Sequence, residues 1–151
     1  MEKFGALVQE ADWKIEKHVP VIECADTVKP DEMFEVKVGI GKEVAHPNTT
    51  EHHICWITLF FHPEGEKFPY QIGHYEFSAH GASTEGPNKS SVYTHHVVTT
   101  SFKTSKPGTI LPYHSATSMA YGNPQRKSSS KNKSPGLDFL IFIPLFPIVQ
   151  F

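Results

Sequence analysis

Cysteine is scarce in this chain of 151 residues: Cys24 and Cys55 are the only two, and they do not form a CxxC pair. The N-terminus also lacks a leader of charged and then apolar residues. Both features argue against a secreted disulfide scaffold and predict a reduced, cytoplasmic protein. We expect both thiols to occupy buried apolar positions. A Cys24–Cys55 bridge stays open but has no support in the sequence.

The chain also lacks a strong charge of one sign, since 14 Lys+Arg oppose 16 Asp+Glu and the formal net charge is −2. Such a balance gives no electrostatic reason to expect nucleic acid or an acidic membrane surface as a partner. Long apolar runs are missing as well. The apolar tail from Leu137 is interrupted by Pro144 and Pro147 and is shorter than the roughly 20 residues that span a bilayer. We therefore expect no membrane anchor.

Strand-like segments dominate the chain as far as Ile110. In the segment EMFEVKVGI, Phe34, Val36 and Val38 alternate with polar residues, which predicts a strand with one buried face. Similar runs are HVPVIEC, ICWITLFF, YQIGHYEFSA and SVYTHHVVTTSFK, with Gly- and Pro-containing turns between them. The pattern and the length predict an all-β fold, an antiparallel β-sandwich in a single domain. The first dozen residues are predicted as a short helix or an arm.

Histidine, by contrast, is abundant, with 10 residues, and imidazole is a common protein ligand for iron and zinc. The segment HPNTTEHH contains His46 and His52. A loop that turns through Pro47 and Asn48 can bring both rings onto one ion. The segment EKHVPVIE offers His18 as a third imidazole at the start of a strand. From these residues alone, metal binding and ordinary solvated histidines are equally open.

The segments EKHVPVIE and GIGKEVAHPNTTEHHICWI, together with GHYEF and TEGPN, resemble superoxide reductases of the neelaredoxin and desulfoferrodoxin family. The resemblance runs from about Trp13 to Ile110. It implies an immunoglobulin-like β-sandwich with a non-haem iron that alternates between Fe2+ and Fe3+. It also implies the one-electron reduction of superoxide to hydrogen peroxide, a small electron donor such as rubredoxin, and a homo-oligomer, either a dimer or a tetramer.

The resemblance assigns roles to individual residues. By motif, His18, His46 and His52 match three equatorial iron ligands. Glu16 matches a carboxylate that can occupy the sixth iron position in the oxidised state, and Lys17 matches the cation beside the open face. Without the resemblance, Glu16 and Lys17 are more simply a solvated charged pair at a strand entry. With it, the Lys17 ammonium has a chemical purpose, since it attracts the superoxide anion and stabilises the developing peroxide.

The remaining histidines have no role in the resemblance. His53 is expected to point away from the metal. His114 is not assigned as a ligand, because its neighbours do not match the family. The others are predicted to lie on the surface or in turns: His62, His74, His80, His95 and His96.

The family pattern breaks after the GTI segment. A motif like ALSYCNIHGLWE should follow and supply an axial cysteine and a fourth histidine, but this chain reads GTILPYHSATSMAYGNP. Joining the last base of each codon to the first two of the next restores the motif. The Ser115–Ala116 junction permits cysteine, Ser118–Met119 permits histidine, and Met119–Ala120 forces glycine.

A single-base deletion near Ile110–Leu111 explains this pattern. It predicts that residues 1–110 form the iron-binding sandwich and that residues 111–151 are an out-of-frame tail, disordered or non-native. Resequencing the codon region tests this hypothesis. The alternative function for the chain as it stands is an inactive metal-binding β-sandwich remnant that lacks the axial cysteine and the fourth histidine.

Overall fold

The strands predicted from alternation are present in the fold. The computed structural model describes residue 12, residues 14–118 and residues 148–149, and in these ranges the chain forms strands and no helix. The predicted N-terminal helix or arm therefore lies almost wholly outside the described residues. The strands are β1 (Pro20–Cys24), β2 (Phe34–Ile40), β3 (His52–Pro63), β4 (Tyr70–Glu76), β5 (Val97–Phe102), β6 (Gly108–Ser118) and β7 (Ile148–Val149).

These strands form two antiparallel sheets, one in the order β1-β2-β5 and the other in the order β4-β3-β6-β7. The sheets enclose an apolar core because inward-facing residues alternate with exposed ones. In β2, Val36 and Val38 are fully buried, and in β3 Ile57 and Leu59 are as well. Full burial of such a side chain stabilises the fold by about 1.5–3 kcal/mol. The predicted all-β, immunoglobulin-like antiparallel sandwich is confirmed.

The structure continues the sandwich beyond the predicted boundary at Ile110. Strand β6 runs to Ser118 and pairs with β3 over its whole length. The neighbouring backbone provides partners for strand hydrogen bonds here, although the sequence has no clear strand period. Proline has no backbone N–H to donate to a neighbouring strand. On the side of β6 that faces β7, only Gly108 and Thr109 are paired, so at Pro112 no described strand requires an N–H on that side. The out-of-frame origin stays a prediction, and most of the predicted tail lies outside the described residues.

The two cysteines lie in different sheets. Cys24 ends β1 and Cys55 lies in β3; they are not joined in a disulfide, and both are half-buried. Burial, together with the nearby Asp26 charge, raises the pKa of the Cys24 thiol. No disulfide therefore contributes to this fold. Among the described residues, no helix is long and apolar enough to cross a bilayer.

Candidate metal centre

Three imidazoles converge at one end of the sandwich. His18 lies just before β1, His46 lies in the loop between β2 and β3, and His52 begins β3. Their potential ligand atoms all lie within 4.8 Å of one another. Nitrogens about 2.0–2.1 Å from a common ion are at most about 4 Å apart, so only small adjustments separate this cluster from a metal-binding arrangement. The structure thus brings together the three histidines that the sequence singles out.

Hydrogen bonds within the loop determine where His52 and His53 point. The Thr49 N–H donates to the His52 carbonyl at 3.0 Å, and the His52 N–H donates to the Thr49 hydroxyl at 3.1 Å. The His53 Nδ1 donates to the Thr49 carbonyl at 2.9 Å. Consecutive strand residues face opposite sides, so His52 joins the cluster and His53 lies outside it, as expected from the sequence.

His46 is already in the form that binds a metal. Its ring is 6% exposed, and its Nδ1 donates to the Pro47 carbonyl at 2.7 Å. Among the described residues, its Nε2 has no hydrogen-bond partner. Burial lowers the pKa of His46 to about 3, although the bond to Pro47 acts in the opposite direction. A neutral imidazole with its Nδ1 held by a carbonyl and its Nε2 lone pair available fits a metal ligand.

Glu16 holds the ring of His18. Its Oε1 accepts from His18 Nδ1 at 2.7 Å and from the His18 backbone N–H at 3.0 Å. A carboxylate on Nδ1 orients the ring and leaves Nε2 for a metal. Burial lowers the pKa of His18 against the opposing effect of Glu16. Burial raises the pKa of Glu16, but the hydrogen bonds from His18 outweigh it and the net pKa lies below its ordinary value.

This contact bears on the role predicted for Glu16. The three-histidine cluster does not include its carboxylate, which is bonded to His18 instead. Direct coordination by Glu16 therefore stays a prediction. Lys17 is half-buried between these two residues in sequence. Burial and the contacts between Glu16 and His18 have the larger effects on the pKa values of these two groups. The positive charge of Lys17 lowers both pKa values further. A cation thus lies close enough to the cluster to act on it electrostatically.

Two histidines near the cluster were not identified from the sequence. His80 is predicted to lie on the surface or in a turn; it lies in the connection between β4 and β5, but it is only 6% exposed and so is not on the surface. His96 is half-buried, and its ring centroid is 5.7 Å from that of His46. His74 and His95 are exposed as expected. No local pattern distinguishes His80 from its exposed counterparts, because its burial depends on the packing of two loops that are distant in sequence.

The described residues place no thiolate in the cluster. Cys24 and Cys55 both lie outside it. His114, in β6 opposite Ile57, is fully buried, and it is not one of the clustered histidines either. Burial lowers the pKa of His114 to about 3, with smaller contributions from His18 and His96. The centre therefore offers three imidazoles with a carboxylate and an ammonium beside them.

Gly41 keeps the backbone of His46 in place. Its φ is +77°, and a Cβ added there would lie 2.5 Å from the His46 backbone nitrogen. We expect Gly41→Ala to destabilise the fold by about 1–3 kcal/mol through backbone strain. We also expect it to lower Fe(II) affinity about tenfold, because His46 must move. Chemical denaturation and metal titration measure the two effects.

Gly65 provides a matched control for this substitution. Its φ is +76°, but a Cβ there would meet nothing within 4 Å. Gly65→Ala should therefore show the backbone strain without a change in metal affinity. Equal metal affinities for the two variants would contradict the role given to Gly41.

Comparisons with known proteins agree with this geometry. A model of the desulfoferrodoxin family matches residues 10–118. The chain is 56% identical over 109 residues to neelaredoxin from Megalodesulfovibrio gigas, covering 72% of this chain and 84% of that protein. It is 53% identical over 103 residues to superoxide reductase from Pyrococcus furiosus, covering 68% of this chain and 81% of that protein. The fold matches reduced superoxide reductase (neelaredoxin) from Archaeoglobus fulgidus with a TM-score of 0.68 and 53% identity, over 77% and 91% of the two chains.

Proposed function

Because the chain belongs to the desulfoferrodoxin family, we propose that it is a non-haem iron superoxide reductase. The reaction adds one electron and two protons to superoxide and yields hydrogen peroxide. The observation that carries the proposal is the convergence of His18, His46 and His52, whose potential ligand atoms lie within 4.8 Å of one another. Imidazole nitrogen suits iron, and the available Nε2 of buried His46 supports the same conclusion.

In this proposal the three histidines hold iron, which supplies the electron when bound. Glu16 orients His18 by accepting from its Nδ1. We further propose that the Glu16 carboxylate would serve as a ligand when the iron is oxidised. Lys17 attracts the anionic substrate and stabilises negative charge on the reduced oxygen. The two protons come from water at the exposed side of the site.

The reaction consumes one electron per superoxide, so the protein needs a reductant for each turnover. We propose a small electron-transfer protein such as rubredoxin in this role. Two cysteines that form no disulfide with each other support a reducing, cytoplasmic setting. We also propose a homo-oligomer, a dimer or tetramer, which sedimentation of the purified chain tests.

We propose in addition that residues 111–151 are translated out of frame and that the restored frame supplies the thiolate and the fourth imidazole. The position of β6 supports this proposal. Ser115 and Ala116, whose codon junction permits cysteine, are buried next to the end of β3 that bears His52. Ser118, at the junction that permits histidine, pairs directly with His52. A cysteine and a histidine introduced along this stretch would therefore lie beside the cluster.

Anaerobic reconstitution with Fe(II) tests the proposed function, using the present chain and a frame-restored chain. Iron content, the thiolate-to-iron absorption band and stopped-flow mixing with superoxide are the measurements. We expect both chains to bind iron, and we expect the restored chain to show the band and to be oxidised by superoxide. A restored chain that neither binds iron nor is oxidised would overturn the proposed function. Resequencing that confirms the present DNA, with no alternative frame that encodes the motif, would overturn the out-of-frame proposal alone.

A further inference from the structure

The loop that carries two of the clustered histidines, residues 46–53, is held by a second loop, residues 77–94. Asn48 and Thr50 make most of the contacts. Asn48 Nδ2 donates to the Thr94 carbonyl at 2.7 Å. The Thr50 hydroxyl donates to the His80 carbonyl at 3.1 Å, and the Thr50 N–H donates to the Asn88 side-chain oxygen at 2.8 Å. The second loop thus holds the residues between His46 and His52.

His80 lies at the centre of this contact, and both of its ring nitrogens face hydrogen-bond acceptors. Its Nδ1 is 2.8 Å from Asn48 Oδ1, and its Nε2 is 2.9 Å from the Phe77 carbonyl oxygen. The ring therefore lies within hydrogen-bond distance of both loops, at Asn48 in the first and at Phe77 in the second.

The ring of His80 is buried in this contact and packs against the neighbour of a clustered histidine. It is 6% exposed. His53 stacks on it with ring centroids 3.5 Å apart and planes 10° from parallel. His80 therefore contacts the first loop at two points, Asn48 and His53.

We propose that His80 is a positioning residue for the metal centre. It holds Asn48, two residues after His46, by a hydrogen bond, and it holds His53, next to His52, by stacking. The two histidines of the loop are thereby fixed relative to each other before any ion binds. This inference rests on the proposed metal site, and it adds a residue that touches neither the ion nor the substrate.

The positioning role is tested with the variant His80→Phe, with Co(II) and Fe(II) as probes. Phenylalanine keeps a flat ring against His53 but has no donors. We expect His80→Phe to lower the affinity for both ions about 10- to 100-fold and to change the ligand-field spectrum of bound Co(II). Asn48→Ala removes the Nδ1 partner and should have the same effects. It also provides the test if His80→Phe does not fold.

His62→Phe is the matched control. His62 Nε2 donates to the Glu66 carbonyl at 2.8 Å, near the end of β3 opposite to His52. Its loss removes one ring-to-carbonyl hydrogen bond and should leave Co(II) affinity within about twofold of the unaltered protein. Unchanged affinity and an unchanged Co(II) spectrum in His80→Phe and Asn48→Ala would overturn the positioning role. Failure of the unaltered protein to bind either ion would overturn the proposed function instead.

Discussion

Replacing His46 with alanine should lower Fe(II) affinity by at least about 100-fold, which is the upper end of losses seen when groups behind a ligand are removed. His46 is the most deeply buried of the clustered histidines. Its Nδ1–H is held by the Pro47 carbonyl, and its Nε2 has no hydrogen-bond partner among the described residues. The ring is therefore preorganised to bind an ion, and alanine removes one of the three clustered imidazoles.

Anaerobic Fe(II) titration of His46→Ala measures this loss. His74→Ala is the control, because it also removes one histidine. His74 is exposed on β4, where Nδ1 is 2.6 Å from the Thr58 hydroxyl oxygen, and it is not in the cluster. We expect His74→Ala to keep the affinity of the unaltered protein. Equal affinities for His46→Ala and the unaltered protein would show that His46 is not a ligand.

The second large effect is a loss of stability in acid that depends on His114. Burial lowers the pKa of His114 from 6.5 to about 3 in the folded protein. Above pH 6.5 the imidazole is neutral in both the folded and the unfolded state, so its contribution to stability is fully present. Below that pH, the unfolded chain binds a proton that the folded protein does not. The free energy of unfolding should then fall by about 1.4 kcal/mol per pH unit for this group until pH approaches 3.

Urea denaturation at several values between pH 7 and pH 4 measures this dependence. His114→Leu removes the titrating group and should reduce the slope by about 1.4 kcal/mol per pH unit over the acid range. His46, whose pKa is also lowered to about 3, continues to contribute to the remaining slope. His95→Leu, at an exposed position, controls for the loss of a histidine. If His114→Leu and the unaltered protein lost stability in parallel, His114 would not be the group responsible.

The sequence was informative wherever the physical cause is local. Alternation in EMFEVKVGI predicts the buried face of β2 because side chains of a strand face alternate sides, and Val36 and Val38 are fully buried. The motifs around His18, His46 and His52 led to the same three residues that converge in the structure. The opposite directions of His52 and His53 also follow from their neighbouring places in a strand.

Only the tertiary structure decided the features that depend on contacts between distant segments. Residues 111–118 lack a strand period, but β3 provides a full row of backbone partners and they form β6. Glu16, a predicted ligand, accepts hydrogen bonds from His18 because of how the chain enters β1. His80 resembles an ordinary turn histidine in sequence. Its burial and its contact with Asn48 arise from the packing of a segment 32 residues away, and no local pattern records a contact at that separation.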